Sequence, residues 1–106
     1  MKRGEVWWAT LPRPWGTRPV LLLARDEAYE LLTWVVVAPI TTTVRGIPAA
    51  VTLEPESDGV PQRSAVSLDH LQTVRREWLD DRITELSADR LREVDDAVHF
   101  ALALSF

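Results

Sequence analysis

Apolar positions fall first into groups of strand length. Gly4-Glu5-Val6-Trp7-Trp8-Ala9-Thr10 is an aromatic and β-branched run that reads as a strand. Its two tryptophans alternate faces, which sends one into a core and the other toward solvent or a partner surface. Residues 11–16 form a proline-rich connection without regular structure. Residues 19–24 and 33–40 are continuous apolar runs, as expected of strands buried on both faces. After Gly46 and Pro48, Val51 and Leu53 alternate with small or polar neighbours, predicting a strand over 49–53. Residues 55–62, with Asp58-Gly59, read as a turn. Residues 64–68 and 71–74 supply another strand, bent near Asp69, and 82–86 a short edge strand. Trp78 falls in a turn between them and carries no functional assignment.

The period changes near the C-terminus. Leu91, Val94, Val98 and Leu102 recur at helical spacing with charges between them. Ser87 is an N-cap, Asp89 sits where the helix dipole favours an anion, and Leu86 staples against Leu91. Five or six strands and one amphipathic helix leave no crossover helices for a parallel sheet. The predicted fold is mainly β, a small barrel with a C-terminal helix. A single helix also argues against a helix-turn-helix DNA reader.

At 106 residues with 46% apolar and 26% charged side chains, the chain is one ordered domain, 1–106. It has no cysteine, which excludes disulfides, a thiolate nucleophile and Cys-based metal sites. His70 and His99 are too far apart in sequence to suggest a His-rich metal site, so no metal or cofactor is expected. No apolar run is long enough for a bilayer, and Met1-Lys2-Arg3 leads into Gly4-Glu5 rather than into a signal peptide. The expectation is a cytoplasmic protein without a membrane partner. The net charge of −4 hides an asymmetry, +2 over residues 1–50 and −6 over 51–106. A global basic footprint for nucleic acid is absent. Eleven of the twelve basic residues are arginine, which either supplies a local phosphate site or reflects coding composition.

Several local patterns combine in order: Arg3-Gly4-Glu5-Val6-Trp7-Trp8, Gly16-Thr17-Arg18-Pro19-Val20-Leu21-Leu22, Ala38-Pro39-Ile40-Thr41-Thr42-Thr43, Ile47-Pro48, Ser64-Ala65-Val66-Ser67-Leu68-Asp69, Gln72-Thr73-Val74 and the helix from Leu86-Ser87 through Glu93-Val94-Asp95. As a set covering residues 3 to about 104, they resemble the MazF/PemK family of toxin endoribonucleases from type II toxin–antitoxin systems. The resemblance implies an SH3-like barrel of the MazF/PemK/CcdB kind that forms a homodimer and cuts single-stranded RNA without metal. Cutting proceeds by 2′-OH attack, leaving a 2′,3′-cyclic phosphate and a 5′-OH. It further implies a cognate MazE-like antitoxin that blocks the RNA site, with operator DNA bound through the antitoxin.

The same resemblance places the catalytic arginine on Arg18 and the catalytic threonine on Thr41, with Thr42 and Thr43 beside it as substitutes. A planar guanidinium grips two phosphate oxygens, and a threonine hydroxyl donates to the same scissile phosphate. Taken alone, Arg18 would read as a surface arginine at a strand end. Asp69 matches an RNA-contacting position, or is a turn residue bonded to its own backbone. His70 stands where the family often has a base-contacting glutamine, and an imidazole also titrates near neutrality. Arg45 is a second phosphate contact or a solvated loop charge. Trp15 stacks on an unpaired base or covers one end of the barrel. Thr42 completes the RNA-binding set, and His99 reads as structural.

Three departures stand out. The first loop is shorter than in many relatives, the frequent Gln-Leu-Arg-Thr pattern reads His70-Leu71-Gln72-Thr73, and the chain is acidic overall. The alternative function is a non-nuclease binding protein on the same barrel, either a gyrase-inhibiting toxin or an inactive antitoxin-bound co-repressor. Gyrase poisons depend on a Trp-Gly-Ile-type tail, whereas this chain ends Ala101-Leu102-Ala103-Leu104-Ser105-Phe106.

Overall fold

In the computed structural model, which describes residues 1–104, the aromatic run forms β1 (Glu5–Leu11) and turns through residues 12–15 into β2 (Gly16–Leu22). The two strands are antiparallel from Val6↔Leu21 to Leu11↔Gly16. β2 continues onto β3 (Trp34–Thr41) through Val20↔Pro39, Leu21↔Ala38 and Leu22↔Val37. β3 is long enough to serve two partners on its other edge. Its last residues pair with β5 (Ser64–Ser67), Ile40↔Val66 and Thr41↔Ala65. Its first four pair with β6 (Gln72–Arg75), Trp34↔Arg75 to Val37↔Gln72. β4 (Ala50–Leu53) borders β5, and β7 (Leu79–Glu85) borders β1. The order β4-β5-β3-β2-β1-β7, with β6 also on β3, curls into the expected mainly β fold beside one long C-terminal helix.

Apolar side chains of β2 alternate between two cores, as its unbroken apolar run predicts. β3 is buried on both faces only from Val37 to Ile40; Trp34 and Val36, 47% and 38% exposed, turn one face of its first half to solvent, contrary to the expectation for 33–40. Val6, Leu21, Ala38 and Ile40 join Val66, Leu68 and Val94 on one side. Ala9, Val20, Leu22, Val35, Val37 and Tyr29 fill the other. Trp7 packs against this second core and its Nε1–H donates to Glu5 Oε1 at 3.0 Å, while Trp8 points to a surface cleft. No helix among the described residues is long and apolar enough to cross a membrane.

Four further expectations change. Among the described residues there are seven strands rather than five or six, because Leu68–His70 forms a 3-10 turn that separates β5 from β6. The edge strand begins at Leu79, three residues before the predicted start; exposed Asp80, Asp81 and Arg82 hid its alternation. The long helix is joined by two single turns, α1 (Ala28–Leu31) and α2 (Pro55–Asp58), too short for any periodicity to show. Leu102 lies beyond the long helix, α3 (Ala88–Ala101), and is 52% exposed rather than part of its buried stripe. Ser87 does cap α3, its Oγ accepting from the Arg90 backbone N–H at 3.1 Å. Ser105 and Phe106, the end of the tail compared with Trp-Gly-Ile, lie outside the described residues.

α2 is clasped to α3. Asp58 Oδ1 accepts from Arg90 Nε and Oδ2 from Arg90 Nη2, both at 3.0 Å, and Oδ2 also accepts from the Glu54 N–H at 2.8 Å. Gly59 then ends α2 at φ +77, with Thr84 so close that a Cβ would sit 2.6 Å from its Oγ1. Pro at the start and left-handed Gly at the end delimit the turn. Gly59→Ala is expected to cost about 2 kcal/mol, from the left-handed penalty and the displaced Thr84. Thermal unfolding should show Tm lowered by roughly 10 °C; an unchanged Tm would refute this account of the turn.

Candidate active site

Three strands converge where β2 and β3 part. Arg18 pairs with Ala9 of β1 on one side. On the other, the β2–β3 register extended by two residues sets it opposite Thr41, which pairs with Ala65 of β5. The β1 ladder thus fixes the backbone of Arg18 and the β5 ladder that of Thr41, one on each side of the gap where β2 and β3 separate. The Arg18 guanidinium carbon lies 5.3 Å from the centre of the Trp15 ring, a cation–π contact that braces the head group. Its Nε is buried without a hydrogen-bond partner. Thr41 Oγ1 accepts from the Thr43 N–H at 3.2 Å, which leaves its own proton for another acceptor.

Arg18 and Thr41 form the wall shared by two clefts. The first, about 270 Å³, is lined by Trp8, Thr17, Thr42, Gln62 and Ser64 and carries no carboxylate. The second, about 300 Å³, holds Trp15, Arg45, Ser67, Asp69 and His70. All seven residues singled out from sequence are therefore brought to one continuous surface. Asp69 and His70 ride on the 3-10 turn after β5, and Ser67 Oγ lies 2.7 Å from His70 Nδ1, orienting the imidazole. Trp15 is 45% exposed at the rim. Trp78 stands apart from both clefts, edge-on to Trp34 with ring centres 5.6 Å apart.

Sequence reasoning passed over Ser64, Ser67, Gln62 and Trp8 as site residues. Ser64 has no distinguishing sequence signal, since β5 both opens and closes on a serine; only its 4% exposure in the structure sets it apart. Gln62 is equally unmarked, since nothing local shows a loop glutamine facing a cleft. Among the described residues no three His, Cys, Asp or Glu side chains gather in a metal-sized group.

This arrangement offers a fixed cation, aimed hydroxyls, an exposed indole and mixed polar groups along a groove, which suits a phosphodiester with an unpaired base beside it. Comparisons with known proteins agree. A probable endoribonuclease, MazF5 of Mycobacterium tuberculosis, is 44% identical over 103 residues, covering 97% of this chain and 94% of that protein. The solved Mycobacterium tuberculosis toxin MazF-mt6 superposes with a TM-score of 0.87 at 36% identity, over 96% of this chain and 99% of that one. A mycobacterial endoribonuclease in complex with its cognate antitoxin gives 0.88 at 26% identity, over 100% and 98%. The model of the PemK-like, MazF-like toxins of type II toxin–antitoxin systems matches residues 2–102, and the chain belongs to that family.

Proposed function

We propose that this toxin endoribonuclease cuts single-stranded RNA on the ridge between its two clefts, with Arg18 and Thr41 as the catalytic pair. The observation that carries the reading is the Arg18 side chain itself, braced by Trp15, unsatisfied at Nε, and lining both clefts together with Thr41. In the reaction the ribose O2′ attacks phosphorus as the P–O5′ bond breaks. The O2′ proton departs, O5′ gains one, and the ends are a 2′,3′-cyclic phosphate and a 5′-OH. Neither water nor a metal ion is consumed. The Arg18 guanidinium stabilises the negative charge that grows on the non-bridging oxygens. Thr41 donates a further hydrogen bond to the same group. Trp15 stacks on a flanking base, Asp69 and His70 read base edges, Arg45 holds a neighbouring phosphate, and Thr42 borders the backbone path.

The reading includes a homodimer of this single toxin domain, acting in the cytoplasm and neutralised by a MazE-like antitoxin through which the complex reaches operator DNA. The gyrase-inhibiting and co-repressor alternatives are disfavoured by relatives named endoribonucleases. The test is to incubate the purified chain with long single-stranded RNA in excess EDTA. Discrete fragments ending in 2′,3′-cyclic phosphate and 5′-OH are expected, and their ends give the cut motif. Intact RNA across several sequences, with folded protein, would overturn the reading and make gyrase the next assay.

A further inference from the structure

Among the described residues, two buried side-chain polar atoms have no hydrogen-bond partner: Arg18 Nε and Ser64 Oγ. Both belong to the same cleft. A buried polar group left unpaired is costly, and two at one spot suggest a shared ligand that satisfies both. Ser64 opens β5, paired to Leu53 of β4, so its hydroxyl is held by the sheet rather than by a mobile loop. Around it stand the guanidinium of Arg18, the hydroxyls of Thr17, Thr41 and Thr42, the amide of Gln62, and no carboxylate. Arg18 Nε only donates, and a serine hydroxyl donates equally well. Several donors, one positive charge and no negative one match an anion rich in acceptor oxygens. The second cleft, with Asp69 and His70, offers the mixed polarity a base edge needs.

We infer that Ser64 is a further catalytic residue, its hydroxyl donating to a non-bridging oxygen of the same phosphodiester that Arg18 grips. This rests on the proposed cutting centre. A donor fixed before substrate arrives needs no reorganisation, and its hydrogen bond strengthens as the oxygen gains charge. Loss of Ser64 should therefore lower kcat far more than it raises KM.

The test compares wild type, Ser64→Ala and Arg18→Ala on an RNA bearing the mapped cut motif. For Ser64→Ala, kcat is expected to fall about 10- to 100-fold with KM nearly unchanged. Its Tm should hold or rise, since the alanine removes a buried hydroxyl that has no partner within the protein. A serine that only supports the fold would do the reverse, lowering Tm and sparing kcat, and that result would overturn the inference. Should Ser64→Ala fail to fold, Ser64→Gly removes the same hydroxyl with less bulk. Sulfur in place of each non-bridging oxygen at the cut site supplies the direct readout. One diastereomer should slow wild type and leave the already slowed Ser64→Ala unaffected; equal slowing of both proteins by each diastereomer would refute the contact. Wild-type kcat in Ser64→Ala beside an inactive Arg18→Ala sinks this inference alone. Wild-type kcat in Arg18→Ala sinks the cutting centre with it.

Discussion

Arg18→Ala is expected to leave a folded barrel that cuts RNA at least about 10³-fold more slowly than wild type. Removing one preorganised donor at a developing oxyanion costs about 10²–10³ in rate, and this change removes a charged donor fork rather than one neutral donor. The fold should tolerate it. Arg18 Nε makes no hydrogen bond within the protein, and the contact with the half-exposed Trp15 ring is worth about 0.5–1 kcal/mol. Arg18→Lys refines the argument, because an ammonium keeps the charge and loses the planar two-pronged grip. It should recover part of the lost rate and remain well below wild type. Single-turnover cleavage with circular dichroism on the same samples decides the matter. Full activity in Arg18→Ala would remove the foundation of the proposed site, and lost activity with lost ellipticity would mean that the arginine serves the fold.

What could be read from the chain before the structure depended on how far each signal extends. α3 repeats its apolar spacing over about two turns, from Leu91 to Val98, and starts at a capping serine, so Ser87 and Val94 fall where expected. β2 and β3 announce themselves by unbroken apolar runs; two cores explain the run in β2 and the second half of β3, while the exposed Trp34 and Val36 make the first half look more buried in sequence than it is. Arg18 and Thr41 stand out through the ordered set of motifs, and the register from Val20↔Pro39 brings them together. Other features have no local signature. The 3-10 turn at Leu68–His70 exists because two short strands must share one edge of β3, a condition set by residues remote in sequence. α1 is a single turn held by buried Ala28 and Tyr29, with the Tyr29 hydroxyl accepting from the Ala24 N–H at 3.0 Å. Ser64 looks like any strand serine until its burial and missing partner are seen together. The acidic balance of the second half also misleads as a guide to RNA binding, because the first cleft excludes carboxylates although the whole chain does not.

Asp58→Asn is expected to destabilise the fold by about 2–4 kcal/mol, a large share of the ~5–15 kcal/mol that holds a domain of this size. The Asp58 side chain is only 3% exposed and takes two parallel hydrogen bonds from Arg90. An asparagine would turn an N–H toward one of those donors and leave the guanidinium with Glu93 alone for compensation. Burial by itself would raise the Asp58 carboxyl. The hydrogen bonds from Arg90 and the Glu54 N–H, together with the Arg90 charge, outweigh it and hold the group below its ordinary 3.8. A carboxylate depressed on folding contributes stability that is complete above the unfolded value and is lost as pH falls through the folded one. Wild type should therefore weaken progressively below pH 3.8, as this clasp between α2 and α3 takes up its proton. Glu5 adds to the same acid loss. Burial pushes it up, but hydrogen bonds from Trp7, the Lys2 N–H and Arg82 bring it below its ordinary value. Asp58→Asn isolates the Asp58 share, since it should start less stable at pH 7 and lose less on acidification. Urea titrations at several pH values, with m unchanged, would show the two stability curves converging toward low pH. Parallel curves would mean that the Asp58–Arg90 pair is spectator to folding, and the wall of the first cleft that begins just after Gly59 would need another anchor.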